Sequence, residues 1–88
     1  MTVRIRRADS LLSKERIQSV EPGDFCKCSF TDDMDSERMW VKVSRIWADG
    51  TFDGTLYNCP CLLPMQHGQS IIFHDYEIID IKKGPAQC

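Results

Sequence analysis

The chain has 88 residues, 42% of them hydrophobic and 27% charged, with a formal net charge of −2. These are ordinary globular proportions, which exclude a disordered or fibrous chain, and a single domain of this size buries only about 60% of its unfolded surface, leaving little room for a deep catalytic pocket. No apolar run approaches the roughly 18 to 20 residues that a membrane-crossing helix needs, and the longest are Ile71-Ile72-Phe73 and Cys61-Leu62-Leu63.

The charge is unevenly distributed. Residues 1–20 carry five basic and two acidic side chains (net +3), and residues 21–88 carry six and eleven (net −5). An acidic body argues against strong non-specific phosphate binding, which requires clustered Lys and Arg. The basic N-terminus lacks a following apolar stretch, so no secretory signal is expected. A cytoplasmic location follows as the expectation, with the five cysteines as reduced thiols.

In chain order, Thr2 to Arg7 alternates Val3 and Ile5 with charged residues, as an edge strand does. Asp9 and Ser10 are positioned to cap a short helix over Leu11 to Ser19. Pro22-Gly23-Asp24 is a turn signal, since Pro presets φ and Gly accepts a positive one. In the strand that follows, Phe25 to Phe30, period two places Cys26, Cys28 and Phe30 on one face. An acidic connection, Thr31 to Ser36, leads into a clean alternation from Glu37 to Trp47.

Asp49-Gly50 reads as the two-residue loop of a type I′ hairpin. With these two residues at the bend, Trp47 opposes Phe52, Val43 opposes Leu56, and Lys42 opposes Tyr57. One face then collects Met39, Val41, Val43, Trp47, Phe52 and Leu56 as core, and the other collects Arg38, Trp40, Lys42, Ser44, Asp53, Thr55 and Tyr57. Asn58-Cys59-Pro60 ends the second hairpin strand, because Pro lacks the donor that a central ladder needs. His67-Gly68 marks another turn, Ser70 to His74 and Tyr76 to Ile81 read as strands, and Gly84-Pro85 closes the fold before a short tail. The expectation is one mainly β domain over 1–88, with a β core at 22–81. Its form is an SH3-like partial barrel or a strongly bent antiparallel sheet of about five strands, with a short N-terminal helix.

Four segments carry a resemblance: Pro22-Gly23-Asp24; Glu37-Arg38-Met39-Trp40-Val41; Gly54-Thr55-Leu56-Tyr57-Asn58 with Pro60; and His67-Gly68 followed by Ile71 and Phe73. Together they make residues 22–81 resemble a group of small bacterial domains of unknown function, in which an acidic residue stands where this chain has Cys59. The resemblance implies a bacterial, non-secreted β domain and carries no activity with it.

Cys26-Lys27-Cys28 and Cys59-Pro60-Cys61 together offer four thiols to a zinc ion or a redox couple, which is the alternative reading of function. Paired zinc cysteines are usually separated by two to four residues on a turn, whereas a strand sets i and i+2 about 6.6 Å apart along its axis. Cysteine also packs readily as a small hydrophobe, so packing is favoured and no metal or cofactor is expected. His67 and His74 stand at no diagnostic spacing from a nucleophile, so an enzyme is not expected. Asp32-Asp33-Met34-Asp35-Ser36-Glu37 lacks the sixth-place Gly and twelfth-place bidentate Glu of a calcium loop.

The remaining candidate is the outer hairpin face, where Arg38, Trp40, Lys42 and Tyr57 set large aromatics beside cations in the manner of interface hot spots. The expected function is therefore a non-enzymatic binding or accessory domain that recognises a protein partner. Single-stranded nucleic acid, stacked on the same rings, is a further alternative that the overall acidity disfavours. An open edge strand would also permit a homodimer by sheet extension.

Overall fold

The computed structural model describes residues 3–8 and 12–84. In chain order these form β1 (Arg4–Ile5), α1 (Lys14–Gln18), β2 (Phe25–Thr31), β3 (Ser36–Ile46), β4 (Thr51–Leu56), β5 (Ser70–His74), a 3-10 turn (Asp75–Glu77) and β6 (Asp80–Lys82). The strands make one antiparallel sheet in the order β1-β2-β3-β4-β5, with β6 also paired to β2. The two ends of that order, β1 and β5, both line one trough of about 410 Å³, and Ala8 just past β1 donates its N–H to the Tyr76 carbonyl just past β5 at 2.9 Å. The fold is thus mainly β, a strongly bent sheet nearly closed into a barrel, as the run of short alternating strands predicts.

Alternation decides what lies inside. Cys26, Cys28 and Phe30 of β2 are buried, together with Met39, Val41 and Val43 of β3, Phe52 and Leu56 of β4, and Ile71 and Phe73 of β5. These residues, with Val20, Leu63, Ile78 and Ile81, form a single core in which the Phe52 and Phe73 rings stack at 5.1 Å.

The hairpin loop differs from the expected one. Trp47 and Thr51 face each other through a 2.9 Å bond, and Gly50 donates its N–H to the Trp47 carbonyl, so Ala48, Asp49 and Gly50 form a three-residue loop. A type I′ turn needs φ > 0 at both central residues. Here only Gly50, at +93°, has it. The register also shifts between Val43 and Arg45, so Val41, not Val43, opposes Leu56, and Lys42 opposes Thr55, not Tyr57. The looser turn and the bulge offset each other's effect on facing: Val41, Val43, Phe52 and Leu56 still point inward. Trp47 does not, being 45% exposed at the hairpin's end, which removes it from the expected core.

The other boundaries follow from capping and turn chemistry. Ser13 caps α1 by accepting a hydrogen bond from the Arg16 N–H, so the helix begins later than the cap residues Asp9 and Ser10 suggest; those two and Leu11 lie outside the described residues. Glu21-Pro22-Gly23-Asp24 closes with Asp24 N–H on the Glu21 carbonyl, and Gly23 has φ +97°. That is a type II turn with Pro and Gly in their preferred places. The expected strand Tyr76 to Ile81 is instead the 3-10 turn followed by β6, which pairs Lys82 with Phe25 and Asp80 with Lys27. The fold does not end at Lys82: Lys83 and Gly84 both hydrogen-bond the Asp24 carboxylate, while residues 85–88 lie outside the described residues.

Candidate binding face

The outer surface of β6, β2 and β3 is built in rows. Pairing sets Asp80, Lys27 and Trp40 side by side, and Lys82, Phe25 and Lys42 in the next row. Tyr57, just past β4, donates its N–H to the Trp40 carbonyl at 2.9 Å and so joins the Trp40 row. Strand alternation directs all these side chains away from the core, because their neighbours Cys26, Val41 and Leu56 point into it.

Three rings meet there. Phe25 and Tyr57 lie with centroids 5.0 Å apart and tilted by 55°, the favourable geometry of an aromatic pair. Phe25, Trp40, Tyr57 and Lys82 enclose a notch of about 100 Å³, mostly apolar. The Lys27 ammonium sits 5.3 Å from the centre of the Trp40 ring and that of Lys42 5.9 Å from Tyr57, while His67 packs on Tyr57 at 5.4 Å. Cations held over ring faces at such distances are attracted by the ring quadrupole.

Of the four side chains expected to form the site, Trp40, Lys42 and Tyr57 come together. Trp40 is half-buried and Tyr57 half-exposed, so the rings are neither core nor free. Arg38 is on the same face but one row away, opposite Ser29, and lines a different cleft. Phe25, Lys27, Lys82 and His67 are members that sequence reasoning missed. The signal for the first two was present, since β2 alternation turns Phe25 and Lys27 outward; what was missing was the pairing of β2 with β3. Among the described N-terminal residues none lines the notch: Ile17 and Gln18 of α1 share a cavity with Ile46 and Trp47 at the far end of the hairpin, while Arg16 reaches the Asp80 carboxylate at the edge of the Trp40 row at 3.3 Å.

The chain leaving Tyr57 is held in place by Glu37. Its carboxylate accepts the backbone N–H groups of Cys61, Leu62 and Leu63 at 3.1, 2.7 and 3.0 Å, and these bonds hold its pKa below the usual range. Asn58 adds a side-chain bond to the Trp40 N–H. The loop is thus tied to β3 at both ends of the aromatic cluster, which positions Tyr57 although it lies beyond the regular strand.

The four described cysteines divide by environment. Cys26 and Cys28 are wholly buried, and burial pushes the Cys26 thiol up to about 12 and that of Cys28 higher still; Cys59 and Cys61 are exposed on the loop. Among the described residues no three His, Cys, Asp or Glu side chains gather as a metal ion would require. No described helix is long and apolar enough to cross a membrane. Comparison with protein-family models, with curated proteins and with solved structures returns no match.

Proposed function

We propose that the domain is a non-enzymatic recognition module that binds an extended protein segment on the Phe25, Trp40 and Tyr57 face. The observation that carries this reading is the notch itself: three rings around about 100 Å³, ringed by Lys27, Lys42 and Lys82. A notch of that size suits one aliphatic or prolyl side chain, and the surrounding ammonium groups favour acidic neighbours on the ligand. Aromatic-lined grooves capture peptides in this way, with the apolar anchor supplying affinity and rim charges supplying register and on-rate.

Single-stranded nucleic acid is the less favoured occupant. Base stacking needs open ring faces spaced along a groove. Here Lys27 lies over Trp40, while Lys42, Phe25 and His67 all pack on Tyr57.

Selection of random peptides on the immobilised chain, followed by amide-shift mapping, tests the reading. Selected sequences are expected to share one apolar anchor flanked by Asp or Glu and to perturb Phe25, Trp40 and Tyr57. Tyr57→Ala is expected to weaken them about tenfold or more while leaving the melting curve nearly unchanged, because Tyr57 is half-exposed. Selected peptides that perturb only other surfaces would overturn it, as would an unphosphorylated oligothymidine that binds these rings more tightly than any peptide.

A further inference from the structure

One row along from the aromatic notch, the same outer face holds a second concavity. Arg6, Arg7, Ala8, Ser29, Arg38, Glu77 and Ile79 line a polar cleft of about 270 Å³. Arg6 donates its backbone N–H to the Ser29 carbonyl at 2.9 Å, and Ser29 pairs with Arg38 across β2 and β3, so Arg6, Ser29 and Arg38 form one cross-strand row. Arg7 is steadied by the Tyr76 ring, 5.1 Å from its guanidinium carbon, and the adjoining Ala8 is pinned to the Tyr76 carbonyl.

Three arginines lining one cleft of an acidic protein would ordinarily be neutralised by neighbouring carboxylates. Among the described residues the ion pairs use Arg4, Arg16, His74 and Lys83, and none uses Arg6, Arg7 or Arg38. Among the described residues the one carboxylate lining the cleft, Glu77, is turned to its own element: one oxygen accepts the His74 backbone N–H at 2.7 Å and lies 3.4 Å from the His74 ring nitrogen. The described lining therefore carries three positive charges against one negative, a surplus of two. A carboxylate would leave half of that surplus unmatched. A phosphate monoester carries about −1.5 to −2 at neutral pH and offers three acceptor oxygens, which guanidinium forks engage bidentately.

We infer that the Arg6, Arg7 and Arg38 cleft is a phosphate-monoester site. Ser29, which also lines the cleft, brings a hydroxyl donor. Resting additionally on the proposed peptide reading, the spacing names the ligand further. Successive rows of one face are about 6.6 to 6.8 Å apart, so an extended segment with its apolar anchor in the Trp40 notch places a phosphorylated side chain two or three residues away over Arg38.

Titration of the full chain with phosphoserine and with inorganic phosphate, at constant ionic strength set by chloride, tests the site separately from the notch. Expected are saturable amide shifts at Arg6, Arg7, Ser29 and Arg38, about tenfold weaker binding for Arg38→Gln, and partial retention for Arg38→Lys, which keeps the charge and loses the fork. Lys14→Gln, which removes an exposed charge from the helix, is expected to change nothing. Shifts that fail to saturate, that chloride reproduces, or that centre on Lys27 and Lys82 would overturn the site. So would preference for an unphosphorylated oligothymidine, whose diesters carry one charge each. Tyr57→Ala is expected to leave phosphoserine binding intact, so loss of the notch reading and loss of this one give different results.

Discussion

Asp24 shows how a single residue ties distant parts of the chain together. It is 5% exposed, yet its carboxylate accepts the Glu21 and Gly84 N–H groups at 2.8 and 2.9 Å and pairs with the Lys83 ammonium. Burial by itself would raise its pKa, but these donors outweigh burial and hold it below the ordinary value. Asp32 and Glu37 are lowered in the same sense by backbone N–H groups. A carboxylate with a depressed folded-state pKa contributes stability that is complete above its unfolded value, near pH 4, and is lost as pH falls through the folded value. Chemical denaturation between pH 7 and 2 should therefore show stability declining below about pH 4. Asp24→Asn should destabilise the protein by about 1–3 kcal/mol at pH 7, by leaving buried donors unmatched, and should flatten the acid decline. If Asp24→Asn left the protein as stable as the parent at pH 7, the network would be incidental. None of this was legible beforehand: Pro22-Gly23-Asp24 announced a turn, but Lys83 and Gly84 lie some sixty positions away.

At the scale of elements, the β3–β4 hairpin carries both the core and the site. Gly54 faces Val43 across it, and a Cβ at Gly54 would collide with the Lys42 carbonyl oxygen and lie 2.7 Å from Val41 Cγ1. Backbone cannot retreat as a flexible side chain would, so Gly54→Ala should cost about 1–3 kcal/mol by overpacking. The damage should reach the notch through Lys42 and Trp40, read as a lower urea midpoint together with shifted amides at Tyr57. Unchanged stability would mean the strands can separate locally. The bulge between Val43 and Arg45 is the companion feature, and it explains why a wrong register still sorted the faces correctly. A three-residue loop in place of two moves the pairing by one, and the extra residue in β3 moves it by one again, restoring parity up to Val43. Only Trp47, on the turn side of the bulge, was left on the wrong face.

At the scale of the whole molecule, one core serves all strands, so no part of the sheet has an independent reason to stay folded. Thiol chemistry can read this directly. Exposed Cys59 and Cys61 should react with a maleimide promptly in the native state, whereas Cys26 and Cys28, buried with raised pKa values, should react only as often as the whole core opens. Prompt labelling of Cys28 would mean that β2 detaches separately. The alternating pattern by itself determined the mainly β class, the inward set on β2, β3 and β4, and the outward placement of Arg38, Trp40, Lys42 and Tyr57, because strand periodicity is a local property of the chain. The tertiary structure decided which outward residues meet. It joined Phe25 and Lys82 to Trp40, sent Arg38 to the row of Arg6, and packed α1 at the far end of the hairpin. Those outcomes depend on cross-strand register and on the bend of the sheet, which are set by loop geometry and by packing between residues far apart in the chain.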